Sequence, residues 1–190
     1  WMLATPFYNV FMLKSLGIGY TTVAILNSFF MATMVVGSKV VGDLADRYGS
    51  KVVLTILILP AILTPVLWTF NRPDNYGLIP FAMAINGIIF SGSLVAVNAQ
   101  LFSIVPKGPD RSTYFAAWFT TVFLFQAAAP LLGGSLVSAL ESTRFVVFGF
   151  PIGNLQLIFL CSGVAMVLPN LLLRLVKDAK GTTTGQLIDE

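Results

Sequence analysis

The side chains able to do chemistry inside the long apolar stretches of this 190-residue chain are neutral, chief among them Tyr8, Asn9, Asn27, Asn86, Ser93, Asn98 and Gln126. Amides and hydroxyls donate and accept hydrogen bonds without exchanging protons near neutral pH. No Asp, Glu, Lys, Arg or His stands near the middle of a complete apolar stretch, and the chain contains no histidine. Ionisable groups inside a membrane are the usual proton relays and counter-ions, and histidine is the usual neutral-pH switch and metal ligand. This set suits hydrogen-bonded recognition of an uncharged or amphipathic molecule. It offers no nucleophile, base and orienter constellation and no GxGxxG, CxxC or HExxH pattern. We therefore expect no enzyme, no cofactor and no metal. Cys161 is the one cysteine, so no internal disulfide forms.

Spacing sorts these residues on the stretch 78–105. Asn86, Ser93 and Gln100 are seven apart and share one helical face. Gly87, Ser91 and Asn98 make a second stripe, about 120° away at roughly 100° per residue. Each stripe has two possible roles, contact with a bound molecule or close packing of a neighbouring helix, where small and amide side chains are common.

The elements that carry them are membrane-crossing helices. Apolar residues are 56% of the chain and charged ones 10%, against about 25% charged in a soluble domain. The charges cluster between long uncharged runs, the pattern of a polytopic membrane protein. We expect an all-α fold with complete spans at 18–41, 52–70, 78–105, 113–140 and 154–175. Residues 1–13 form the outer end of a further helix whose beginning is missing. Pro60 and Pro65 are expected to bend the span at 52–70. Loops fall at 14–17, 42–51, 71–77, 106–111 and 141–153, and Asp110 or Ser112 can cap the helix that follows 106–111. The helical bundle occupies 1–175, and 176–190 is a polar tail.

The net charge of +3 is not a nucleic-acid footprint, because the basic residues sit at helix ends and line no helix face. They do set orientation. Arg47, Lys51, Lys107, Arg111, Arg174, Lys177 and Lys180 fall on one side together with Lys39, and Lys14, Arg72 and Arg144 on the other. The positive-inside bias makes the first side, including 42–51 and the tail, cytoplasmic.

The segment 42–51 reads Gly-Asp-Leu-Ala-Asp-Arg-Tyr-Gly-Ser-Lys. Unpaired backbone is costly in lipid, so a charged turn here belongs at the water surface. Asp46 could cap the helix that follows. The segment resembles the signature loop of the major facilitator superfamily of secondary transporters, roughly G-x-L-A-D-R-x-G-R-K. Gly42, Leu44, Ala45, Asp46, Arg47, Gly49 and Lys51 match, whereas Ser50 departs at the first closing basic position. The resemblance covers nearly the whole chain. Pro6-Phe7-Tyr8-Asn9 resembles the outer end of helix seven, Val105-Pro106 with Arg111 and Tyr114-Phe115-Ala116 the passage from helix ten to eleven, and Ala129-Pro130-Leu131-Leu132-Gly133-Gly134 a weaker form of the proline-glycine motif of helices five and eleven.

What the resemblance implies is half of a twelve-helix fold, the carboxyl-terminal half from the end of helix seven to helix twelve. Its partners would be the lipid bilayer, the missing amino-terminal half and a small-molecule substrate, with no nucleic acid. Its place would be an integral protein of a bacterial inner (plasma) membrane. The implied function is secondary transport by alternating access, with any proton-coupling carboxylate in the other half. Asn86, Ser93, Asn98, Gln126, Tyr8, Asn9 and Asn27 are the substrate-contact candidates. Gly42, Asp43, Asp46, Arg47, Gly49 and Lys51 form the gating loop. Pro130, Gly133 and Gly134 are expected to set a bend and a close helix crossing. The competing class is a transport-inactive receptor or assembly partner of the same fold.

Overall fold

A computed structural model describes residues 2–141, 145–147 and 150–173. The tail at 176–190 and the basic residues Arg144, Arg174, Lys177 and Lys180 lie outside them. The chain forms a helical bundle. A short helix α1 (Thr5–Val10) runs into a π-helical turn (Phe11–Ser15), followed by α2 (Tyr20–Tyr48), α3 (Ser50–Thr69), α4 (Leu78–Ile104), α5 (Arg111–Ala139), α6 (Asn154–Ala165) and α7 (Val167–Leu173). The helices α2 to α5 are each long and apolar enough to cross a membrane, as is Asn154–Leu173 taken together.

Several boundaries depart from the sequence reading. The largest departure concerns 42–51, expected as a short charged turn across all ten residues. The helix α2 continues through Gly42, Asp43, Asp46 and Arg47 to Tyr48, and α3 begins at Ser50. The reversal is confined to Gly49, at φ 94° and ψ 145°. Leu44, Ala45 and Arg47 are good helix formers, and one glycine at 42 costs only about 1 kcal/mol; within 42–51, Gly49 is the residue with a positive φ, which favours glycine. The Gly49 N–H donates to the Ala45 carbonyl at 3.0 Å, closing the last turn of α2. Asp46 therefore lies within that turn and does not cap α3, whose first residue follows Gly49 with no side-chain cap. Nor does Asp110 cap α5 through its side chain, and Ser112 is already inside that helix.

Elsewhere, residues 11–15, split between helix end and loop in the sequence reading, wind as one π-helical turn capped by Leu16 and followed by Gly17, φ 66°. The loop at 141–153 contains a two-stranded antiparallel hairpin, β1 (Phe145–Val147) and β2 (Phe150–Ile152). The final span is interrupted at Met166. The helix α3 stays helical through Pro60 and Pro65, with Thr64 and Thr69 donating their hydroxyls to the Pro60 and Pro65 carbonyls at 2.9 Å each.

The core is gathered at one end. Phe11 and Met12 of the π-turn, Trp68 at the end of α3, Ile79 at the start of α4, and Ile158 and Phe159 of α6 are buried in one apolar cluster. At the opposite end Val41, Ala45 and Val53 form a smaller cluster.

The helices α2 and α4 lock together through small residues. A Cβ on Gly37 would lie 2.5 Å from Ile88 Cα, and one on Gly92 2.5 Å from Val41 Cγ2. On Gly87 it would collide with Thr33 Oγ1 and lie 2.7 Å from the Phe30 carbonyl. Packing in lipid lacks a hydrophobic drive between helices, so close approach of backbones supplies the attraction. Gly87 and Ser91 of the second stripe thus serve helix packing.

Candidate functional site

The end of α1, the first half of α2 and the first half of α4 surround a cavity of about 390 Å³, with Trp68 of α3 in its wall. Tyr8, Asn9, Asn27 and Asn86 all line it. Four of the seven residues singled out from sequence are therefore brought together, from three helices. The Asn27 Nδ2 donates to Asn9 Oδ1 at 3.2 Å, tying α2 to α1. Asn86 is buried, at 6% exposure, and carries its amide into the apolar part of the bundle. Tyr8 is buried as well, its ring stacked on Trp68 with centroids 4.3 Å apart and tilted against Phe159 at 4.8 Å. Phe30 and Phe90, with ring centroids 6.5 Å apart, and Met31 and Met83 complete the apolar wall.

Such a wall binds by shape, apolar burial and a few hydrogen bonds. Pockets of about 300–1,000 Å³ that mix aromatic surface with a few convergent polar groups are the usual form of a small-molecule site. An amide can donate or accept, so the three asparagines fit neutral polar groups of either kind.

The other three candidates lie elsewhere. Ser93 shares a face with Asn86 but stands seven residues further on, about 10.5 Å along the helix. It lines a different hollow of about 300 Å³ between α3, α4 and the α6–α7 break. Gln126 is exposed on α5 and lines an open hollow of about 470 Å³ with Met2, Leu3, Trp118 and Thr121. Asn98 is half-buried and borders none of these three spaces.

At the other end, Asp43, Asp46 and Arg47 are exposed on the last turns of α2, whereas Gly49 is buried and Lys51 half-buried. Gly42 has room, since a Cβ there would meet only Val95 Cγ1 at 3.8 Å. The proline-glycine stretch of α5 splits in the same way. A Cβ on Gly133 would lie 2.6 Å from the Leu3 carbonyl and 2.8 Å from the Phe7 ring, and one on Gly134 would meet nothing within 4 Å. Arg111, at the start of α5, sets its guanidinium 5.6 Å from the ring centres of both Phe102 on α4 and Phe115.

The family model of the Major Facilitator Superfamily matches residues 1–185. The chain belongs to the major facilitator superfamily. It is 25% identical over 150 residues to an uncharacterized MFS-type transporter of Mycobacterium tuberculosis. That alignment covers 79% of this chain and 25% of the relative, so the chain spans about a quarter of the curated relative's length. No solved structure matches. Membership agrees with a helical membrane fold whose five long apolar helices imply a bilayer environment.

Sequence reasoning missed the aromatic and methionine half of the cavity. Trp68 closes the span at 52–70, where a tryptophan reads as an interface anchor, and Phe30, Met83 and Phe90 read as ordinary lipid-facing or packing residues. The only signal that could have found them was their helical offset from the amides: Met83 and Phe90 stand three before and four after Asn86, and Phe30 three after Asn27.

Proposed function

We propose that this chain is part of a secondary transporter that moves a small uncharged or amphipathic molecule by alternating access, and that the cavity of Tyr8, Asn9, Asn27 and Asn86 is one wall of its path. The observation that carries the proposal is the convergence of those four residues on one space bounded by α1, α2 and α4. Alternating access needs a central site and two arrangements around it. Amides on three helices form a site that changes whenever those helices shift. Asn98 and Gln126 are further substrate contacts in the wider path, whereas Ser93, which lines a separate hollow, is left out of it.

The motifs at Pro6–Asn9, Val105–Ala116 and Ala129–Gly134 support assignment as the carboxyl-terminal half, helices seven to twelve, working against an amino-terminal half that supplies the opposite wall. The exposed Asp43, Asp46 and Arg47 are the surface with which the segment 42–51 gates against that half. The excess of basic residues on the 42–51 side supports a cytoplasmic placement of that end, and likeness to a mycobacterial transporter supports a bacterial inner membrane. Any proton-coupling carboxylate belongs to the other half, because the spans described here hold none near their middles.

The test is flux in vesicles containing the full-length protein, with and without an imposed proton gradient, across labelled sugars, drugs and organic anions. Accumulation of a neutral or amphipathic compound supports the proposal, and collapse of that accumulation with the gradient adds proton coupling. Folded protein that moves none of them contradicts it.

A further inference from the structure

The hollow that takes Ser93 away from the amide cavity has a different character. Leu54, Ile58 and Ala61 of α3 wall one side, Val97 of α4 a second, and Met166 and Leu173 the third. The third wall is where α6 ends, before α7 resumes at Val167, and Pro169 also lines the space. Among the described residues that line it, Ser93 is the one polar side chain. An empty space of about 300 Å³ walled by hydrocarbon forfeits dispersion contacts unless something apolar fills it. All its walls belong to helices long and apolar enough to cross a membrane, so in a bilayer the apolar material available to fill it is acyl chain.

Charge narrows the occupant. Lys51, Leu54, Ile58 and Ala61 follow one another at three, four and three residues, so they lie along one side of α3. Lys51 is in the first turn of that helix, at the end where Asp46 and Arg47 meet water. The hollow runs as hydrocarbon for about 10 Å between Leu54 and Ala61, at 1.5 Å per residue, and Lys51 does not line it but stands about one turn before Leu54 on the same side of α3, within reach of a headgroup at the groove's end. A basic side chain at the surface attracts anionic headgroups, and its own methylenes can lie along apolar surface with the ammonium in the interface.

We infer that the groove between α3, α4 and the α6–α7 break binds one acyl chain of an anionic phospholipid from the leaflet at the Lys51 end, with the phosphate held by Lys51. This site is separate from the amide cavity and does not depend on what that cavity carries.

Purified full-length protein, delipidated and re-exposed to equimolar phosphatidylglycerol and phosphatidylcholine of matched chains, tests it by native mass spectrometry. Wild type should retain one phosphatidylglycerol in preference to phosphatidylcholine. Lys51→Gln should cut that preference about fivefold while still retaining a lipid, in keeping with one basic group at a charged surface. Ser93→Leu, which fills the groove with an apolar group, should abolish retention of either lipid in protein that remains monodisperse. If Ser93→Leu fails to fold, Val97→Phe fills the same groove from one turn away. Equal retention of both lipids by wild type would overturn the headgroup assignment, and retention unchanged in a folded groove-filling variant would overturn the site itself.

Discussion

The helices α4 and α5 are near equals in length, at 27 and 29 residues, yet the bundle holds them very differently. Of the most apolar eighteen residues of each, 44% are buried in α4 and 6% in α5. The difference lies in where small residues fall. Gly87, Ser91 and Gly92 of α4 meet Thr33, Gly37 and Val41 of α2, where a single added carbon would strike backbone or a branched side chain. The helix α5 touches its neighbours at points: Gly133 against Leu3 and Phe7, Val137 accepting from the Asn154 amide at 3.1 Å, and Arg111 over Phe102. Hydrophobicity alone puts both helices into a membrane, and close packing decides which becomes structural. In the proposed transporter the closely packed α2 and α4 move as one body, and α5 keeps a largely open face.

That contrast can be broken most sharply at Gly87. Gly87→Ala drives a methyl into Thr33 and the Phe30 carbonyl; we expect a loss of about 3 kcal/mol, the upper part of the range for overpacking. It should be seen as a large drop in the melting temperature of purified full-length protein. An unchanged melting temperature would mean that α2 and α4 are not locked as described. Gly133→Ala, 2.6 Å from one carbonyl, should cost about 2 kcal/mol. Arg111→Gln should cost about 1 kcal/mol, the worth of a cation–π contact between exposed and buried limits. It should also speed proteolysis around 106–112 if the α4–α5 junction loosens. Gly134→Ala, with open space around it, should stay within about 0.5 kcal/mol of wild type. The adjacent pair 133 and 134 makes the comparison within a single turn.

The same contrast shows what the sequence made legible. The spans at 52–70 and 78–105 match α3 and α4 to within two residues at each end, because long apolar runs end at recognisable loops. The charge of the segment 42–51 points to a loop, although Leu44, Ala45 and Arg47 favour helix and only Gly49 obliges the chain to turn. The seven-residue spacing correctly put Asn86 and Ser93 on one face, but a face 10 Å long at about 1.5 Å per residue can serve two cavities. Only the positions of α1 and the α6–α7 break separate them. Burial of Tyr8 was hidden for a related reason: its partners Trp68 and Phe159 lie 60 and 151 positions away in the chain.

Flux of the transported compound through full-length protein carrying Asn27→Ala with Asn86→Ala, set beside Ser93→Ala, tests the central claim most directly. At equal amounts of folded protein, the paired asparagine variant should lose about tenfold or more of its rate at low substrate concentration, the worth of two hydrogen bonds at roughly 1 kcal/mol each. Ser93→Ala should transport close to wild type. Normal flux in the asparagine variant, with loss in Ser93→Ala, would contradict the assignment of the amide cavity and move the path to the groove beside α3.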